Sequence, residues 1–230
     1  MNLIVAFAGI VAGILVWWLA VRRLTTRSWE AQGTYDGRHS PDLMGIAPQR
    51  IGLWVFLAVV TSFFALFIAA YSIRMSPQPQ QGVALRDWRP LVEPSILWFN
   101  TALLIVSSIG MQFARVAIGR GQSGRARSGM LAGGVFAIAF LAGQLIAWRE
   151  LQSAGYYAAA NPANAFFYVL TGLHGLHLLG GLVVLGRTGA RMSQPGASPD
   201  AVRLAIELCT VYWHYLLVVW LVLFGLLLIT

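Results

Sequence analysis

Long apolar runs separated by short polar segments dominate the pattern of this chain. Six runs reach the about 17–25 residues that a helix needs to cross the hydrocarbon core of a bilayer. Because a lipid-exposed backbone must satisfy its own hydrogen bonds, the runs are predicted to be helical. The pattern therefore predicts an all-α, polytopic membrane bundle of six transmembrane helices. The predicted spans are Leu3–Val21, Ile51–Ile73, Ile96–Ile118, Gly129–Trp148, Ala165–Gly186 and Leu204–Ile229.

The polar segments indicate how these helices are oriented. All 16 basic residues are arginines, and cytoplasmic loops of membrane proteins carry an excess of basic residues. With Met1 outside, twelve of the 16 arginines fall in inner segments and four in outer segments. The amino and carboxyl termini are therefore both predicted to lie outside. Residues 1–50 are predicted to form an amino-terminal transmembrane helix plus a cytoplasmic linker, and residues 51–230 a five-helix core.

Composition favours a membrane protein and excludes several other classes. Of 230 residues, 58% are hydrophobic and only 10% are charged, whereas soluble domains have about 25% charged residues. The net charge of +8 could indicate a nucleic-acid-binding protein, but the arginines lie in short segments between apolar runs, so no nucleic acid partner is expected. The single cysteine, Cys209, excludes an internal disulfide and a cysteine-rich metal site.

The fifth and sixth runs contain the first group of candidate residues. His174 and His177 lie one turn apart, and Glu207, Thr210 and His214 form one stripe. Polar side chains inside a membrane helix usually turn toward protein, so we expect these five residues to form a buried polar cluster. The histidines are either packed and hydrogen-bonded or ligands of a haem or metal, and His177 with His214 is the pair that could hold haem. Glu207 is either a structural acid or part of a proton path.

The third run contains a second group of polar residues. Thr101, Ser108 and Arg115 repeat every seven residues, which places them on one stripe of a helix. Such a stripe indicates contact between helices, or a lipid-headgroup site where its arginine meets the inner interface. Phosphate loops, Ser-His-Asp sets and the broken helices of transporters are not found in the sequence. The polar residues of this run include Asn100, Thr101, Ser107, Ser108 and Arg115.

Several short motifs occur in order between residues 51 and 229. They are Gly52–Leu57, Asn100-Thr101 with Ser107-Ser108, Gln144, Thr171-Gly172-Leu173-His174-Gly175-Leu176-His177, and Glu207 followed by Tyr212-Trp213-His214-Tyr215 and Trp220. Together they resemble the signature of subunit III of haem–copper cytochrome c and quinol oxidases. Residues 51–230 would then be the subunit III-like core, and Leu3–Val21 has no match in the pattern.

The resemblance implies a non-catalytic subunit of an aerobic terminal oxidase. Such a subunit binds no haem or copper itself, because these cofactors belong to the partner catalytic subunit I. It stabilises that subunit, holds structural phospholipid and supports oxygen or proton access. Gln144 joins the third-run residues as a helix-interface or lipid-site position. The expected location is the bacterial cytoplasmic (inner) membrane, which the chain crosses several times.

Departures from the family pattern keep other functions open. Three acids of the family fall on Val60, Ala147 and Leu217 here, so a proton role tied to them is not carried over. An accessory subunit of a nitric oxide reductase is the first alternative. A small haem-b electron carrier of the membrane and a transporter are the others.

Overall fold

The computed structural model describes residues 48–75, 95–194, 196 and 198–228. Each of its helices is long and apolar enough to span a membrane. Their lengths of 24 to 31 residues exceed the bilayer requirement, so the ends project into the polar interface. The five helices of the described residues are α1 (Pro48–Met75), α2 (Ile96–Gly119), α3 (Ser123–Ser153), α4 (Pro162–Met192) and α5 (Pro199–Leu228).

The prediction of six transmembrane helices is wrong: the residues that the structure describes form five helices of membrane-spanning character. The fold is all-α, as predicted, and five of the six apolar runs correspond to its helices. The remaining prediction, a helix at Leu3–Val21, lies outside the described residues. The count of six rested on apolar length alone, which is a property of composition and does not by itself establish a helix.

Local sequence signals explain where the helices begin and end. The side chain of Asn161 accepts a hydrogen bond from the Ala163 amide at 3.2 Å, and Pro162 occupies the first turn of α4, a favoured combination at helix starts. At the ends of α2 and α3, Gly121 and Gly155 have φ values of 72° and 87°. Glycine adopts this left-handed conformation without steric cost and so terminates both helices.

Helices α2, α3, α4 and α5 pack in a ring, and α1 packs against α4 and α5. Side-chain contacts show the directions of the helices. Arg50 of α1 lies 2.8 Å from Glu207 of α5, and further along both helices Thr61 lies 3.0 Å from Tyr215, so α1 and α5 are parallel. Trp220, near the end of α5, bonds Thr101, near the start of α2, at 3.0 Å, so these two helices are antiparallel. The starts of α1, α3 and α5 therefore share one end of the bundle with the ends of α2 and α4.

Glycines bring α2 and α3 unusually close together. A methyl group built on Gly129 would lie 2.8 Å from both the Ala114 nitrogen and the Gly110 oxygen. One turn later, a methyl on Gly133 would meet the Met111 side chain at 3.0 Å. Small residues at such positions allow two backbones to approach, as in many membrane helix pairs. This contact fixes α2 against α3 over the half of the bundle near the α2–α3 loop.

Arginines concentrate at one end of the bundle, which we call the arginine-rich end. It contains eight of the ten arginines in the described residues, and the opposite end contains Arg74 and Arg149. The bundle interior between the two ends is built from apolar and neutral polar side chains. The arginines of the arginine-rich end are Arg50, Arg115, Arg120, Arg125, Arg127, Arg187, Arg191 and Arg203.

Candidate functional site

Two tryptophans of α5 bind hydroxyl groups of α2 inside the bundle. The Trp213 indole donates to Ser107 Oγ at 2.8 Å, and Ser107 donates to the Gly133 carbonyl of α3 at 2.6 Å. Trp220 donates to Thr101, which donates to its own helix at the Leu97 carbonyl. All of these side chains are buried. The hydroxyls of Ser107 and Thr101 are thus used to join helices, and each of these indole and hydroxyl donors has an acceptor.

His214 faces α2 rather than the other histidines. Its Nδ1 lies 2.5 Å from Ser108 Oγ, and its Nε2 lies 3.2 Å from Gln112 Oε1. Because an amide oxygen only accepts, Nε2 donates to Gln112 and Nδ1 accepts from the Ser108 hydroxyl. Gln112 and Arg115 are exposed on the same face of α2, and His214 is half-buried. Both ring nitrogens of His214 are therefore engaged in hydrogen bonds.

His177 lies between α1 and α5. Its Nδ1 donates to the Leu173 carbonyl of its own helix at 2.7 Å, and its ring lies 5.6 Å from the Phe64 ring of α1. The Tyr212 hydroxyl of α5 donates to the His177 carbonyl at 2.9 Å. These contacts place His177 and His214 on different sides of α5.

Glu207 binds two arginines at the arginine-rich end. One carboxylate oxygen lies 2.8 Å from Arg50 of α1, and the other lies 3.2 Å from Arg203, one turn earlier in α5. Thr210 is buried and donates to the Ile206 carbonyl at 2.8 Å, while the Met111 carbonyl of α2 lies at 3.3 Å. Glu207 thus links α1 to α5, whereas Thr210 faces α2.

A layer of neutral polar side chains lies deep in the ring of α2 to α5. Asn100, Gln144 and His174 are 0%, 4% and 0% exposed. Each of the three side chains has two polar atoms, and none of these six atoms has a hydrogen-bond partner within the described part of the chain. The His174 ring packs at 5.8 Å from Phe140 and 5.3 Å from Trp220. We call Asn100, Gln144 and His174 the polar layer.

The structure does not bring the five residues of the expected cluster together. His174 belongs to the polar layer, His177 contacts α1, Thr210 and His214 bind α2, and Glu207 binds arginines. Sequence analysis did not single out the two arginine partners of Glu207 or the donor role of the tryptophans. Of these contacts, only the one between Arg203 and Glu207 could have been predicted from the sequence, because residues four apart meet on a helix.

Apolar side chains occupy the three positions where the family pattern has acids. Val60 is buried beside Phe64 and close to α4 and α5 in one apolar cluster, Ala147 is fully buried, and Leu217 is half-buried against the main core. No charge is therefore present at these positions inside the bundle.

A cavity of about 560 Å³ lies between α1, α4 and α5 near the arginine-rich end. Its walls are mainly apolar and include Phe56, Val184 and Leu208, and its polar lining includes Thr188 and Arg191. A second cavity of about 280 Å³ shares Thr188 and Arg191 with it. Arg191 is exposed and forms no ion pair with any residue that the structure describes.

Possible metal ligands do not cluster in the described residues. No group of three or more His, Cys, Asp or Glu side chains within residues 48–75, 95–194, 196 and 198–228 could hold a metal ion. The one cysteine, Cys209, is buried in α5.

Comparison with known proteins gives consistent matches along the chain. The model of the family "Cytochrome c oxidase subunit III" matches residues 2–229. The chain is 31% identical over 193 residues to cytochrome c oxidase subunit 3 of Synechocystis sp., covering 84% of this chain and 78% of the relative. It is 30% identical over 205 residues to the subunit 3 of Thermostichus vulcanus, covering 86% and 94%. A probable cytochrome c oxidase subunit 3 of Mycobacterium bovis is 30% identical over 181 residues, covering 76% and 84%.

Proposed function

The chain belongs to the cytochrome c oxidase subunit III family, and from this we propose that it is a structural subunit that stabilises the catalytic subunit of a haem–copper terminal oxidase. The observation that carries the proposal is the use of its buried hydroxyls and indoles. The indoles of Trp213 and Trp220 donate to Ser107 and Thr101 of a neighbouring helix, and Ser107 donates to a third helix. These groups join helices instead of converging on an open site. The haem and copper of the complex would belong to the catalytic subunit, and the complex to a bacterial cytoplasmic membrane.

The exposed face around Gln112 is the surface that we propose for contact with the catalytic subunit. Gln112 and Arg115 are exposed there beside the half-buried His214. An amide facing hydrocarbon is unfavourable, so polar side chains at membrane depth usually face protein. A partner helix that offers a carboxylate or hydroxyl group would satisfy both the Gln112 amide and the Arg115 guanidinium.

Co-purification from the native membrane tests this function. The tagged chain should bring a haem–copper catalytic subunit with it, while the isolated chain should show no haem absorption and reduce no oxygen. Gln112→Trp should weaken the association, and Leu131→Trp on the exposed face of α3 is the matched control. A nitric oxide reductase in place of an oxidase would make the chain an accessory subunit of that enzyme. Oxygen reduction by the isolated chain would contradict the structural role.

A small haem-b carrier is a poor fit to the described histidines. Both ring nitrogens of His214 are used by Ser108 and Gln112. His177 lies on the other side of α5 and donates to the Leu173 carbonyl. A bis-histidine haem would have to break these bonds. A strong haem absorption band in the isolated chain would nevertheless establish the carrier function.

Phospholipid binding is the second part of the proposal. An apolar cavity beside Arg191, which has no ion-pair partner among the described residues, suits a lipid with an anionic headgroup, because basic pockets between membrane helices bind such headgroups. The stripe of Thr101, Ser108 and Arg115 on α2 is less suitable over most of its length, since Thr101 and Ser108 are buried, as are Asn100 and Ser107 nearby. Its exposed residue Arg115 remains a second predicted lipid position.

Native mass spectrometry separates the two lipid positions. Arg191→Gln should lose bound anionic phospholipid if the cavity holds it. Arg115→Gln should lose lipid if the α2 position holds it. Arg127→Gln, at the same end of the bundle, serves as the control for a general loss of positive charge. Equal retention by all three variants would contradict specific lipid binding.

A further inference from the structure

The polar layer differs from every other set of buried polar side chains described above. The indoles of Trp213 and Trp220 and the hydroxyls of Ser107 and Thr101 all bond to protein. By contrast, six side-chain atoms of Asn100, Gln144 and His174 bond to no protein group of the described structure. Each such atom loses hydration on burial and gains nothing in return, and six of them would offset a large part of an ordinary folding free energy.

The contacts of α3 place the three residues at one depth. The Asn100 amide occupies the space that a side chain at Gly143 would take, next to Gln144 in sequence. Trp148, one turn after Gln144, donates to Thr171 of α4 at 3.1 Å. Since α3 and α4 are antiparallel, the level of Gln144 in α3 corresponds to the residues one turn after Thr171 in α4, which include His174.

Aromatic rings close the layer from one side. Phe140 and Trp220 pack edge-to-face at 4.8 Å, and each lies within 6 Å of the His174 ring. The Trp220 indole N–H points away to Thr101, so it does not serve the layer. Aromatic carbon therefore borders the layer beside His174 and offers its polar atoms no hydrogen-bond partner.

We propose that the polar layer is an internal hydration site, in which ordered water bridges Asn100, Gln144 and His174. Buried waters typically form about three hydrogen bonds to polar groups that would otherwise be unsatisfied. The amides each supply a donor and an acceptor, and a neutral imidazole does the same, so water matches every group in the layer. A metal ion or other cation would need carboxylates or further ligands, and no such cluster exists in the described residues.

Water-edited solid-state NMR of the full-length chain in lipid bilayers tests this site. Magnetisation should pass from water to the His174 ring nitrogens quickly, although the residue is 0% exposed. The Trp213 indole nitrogen is an internal control, because it is also 0% exposed but donates to Ser107. Signals are assigned by their loss in His174→Asn and Trp213→Phe.

A pair of matched variants tests the bridging. Gln144→Leu removes one partner of the water and should slow the transfer to His174, whereas Gln152→Leu, exposed near the end of α3, should not. Transfer to His174 as slow as to Trp213 in the wild type would overturn the hydration site. If transfer to His174 is fast and Gln144→Leu leaves it unchanged, water does not bridge Gln144 and His174. A direct hydrogen bond between the side chains of Gln144 and His174 would also overturn the water bridge.

Discussion

Gly129→Ala tests the close packing of α2 against α3. The added methyl would lie 2.8 Å from the Ala114 nitrogen and the Gly110 oxygen, whereas ordinary contact begins at 3.4 Å, a shortfall of 0.6 Å. Both neighbours are backbone atoms, so a side-chain rotation cannot relieve the overlap. The two helices must separate, which would also lengthen the 2.6 Å hydrogen bond from Ser107 to the Gly133 carbonyl.

The expected magnitude follows from two opposing effects. Over-packing a well-packed contact costs about 1–3 kcal/mol, and alanine is favoured over glycine within a helix by about 0.5–1 kcal/mol. The difference between these ranges is about 0–2.5 kcal/mol, and because the overlap is with backbone atoms the net loss should be about 1–2 kcal/mol. A protein of this size loses about 2–4 °C in Tm for each kcal/mol, so we expect a decrease of about 2–8 °C.

The buried Cys209 provides the assay, because it is the single cysteine of the chain. A thiol-reactive dye should label it only as the protein unfolds, and the labelling temperature then reports Tm. Gly186→Ala is the matched control, since a methyl on that α4 glycine would meet nothing within 4 Å; its Tm should be unchanged or slightly raised. A Gly129→Ala variant with the Tm of the wild type would refute the argument from close approach.

Two further predictions concern polar contacts between helices, measured by the same assay. Ser107→Ala leaves the buried Trp213 indole without its acceptor and should cost about 1–3 kcal/mol, whereas Ser62→Ala on the exposed face of α1 should have little effect; equal effects would contradict the role of the indole bond. Arg50→Gln removes the ion pair between α1 and α5 and should cost about 0.5–1 kcal/mol, more than Arg203→Gln, which removes a pair within one helix worth about 0.3–0.5 kcal/mol. The reverse order would show that the ion pair of Arg50 does not hold α1 in place.

The apolar runs predicted the position of the five described helices but not their full lengths. The fourth run was predicted at Gly129–Trp148, and the helix extends over Ser123–Ser153. Hydropathy marks only the part of a helix that lies in hydrocarbon, whereas backbone hydrogen bonds continue through polar residues until a glycine or proline ends them. The added turns of α3 carry the polar residues Arg125 and Glu150, which an apolar pattern necessarily omits.

The partners of the candidate residues could not be predicted from a single stripe. Glu207, Thr210 and His214 lie within about 60° of one another around α5, given 3.6 residues per turn. Glu207 and His214 are only about 20° apart around the helix but about 10 Å apart along its axis. At the level of Glu207 the side chain of Arg50 reaches from α1, whereas at the level of His214 the neighbour is α2. Periodicity predicts which residues share a face, but the identity of the neighbour depends on contacts distant in sequence.

The distribution of charge connects the fold with the proposed function. Charged residues of the described helices lie toward the ends, and Glu207, which lies about 12 Å into α5 at about 1.5 Å per residue, is neutralised by two arginines. Val60 and Ala147 place apolar side chains at interior positions where the family pattern has acids. A path for protons through the bundle would require titratable groups or water at intervals across it. The polar layer is one such position. On its arginine-rich side, Trp213 donates to Ser107 and Ser107 donates to the Gly133 backbone carbonyl, so this chain of hydrogen bonds ends at the backbone. The helices that the structure describes therefore offer no continuous series of titratable groups across the bundle, which agrees with the stabilising role proposed for the chain.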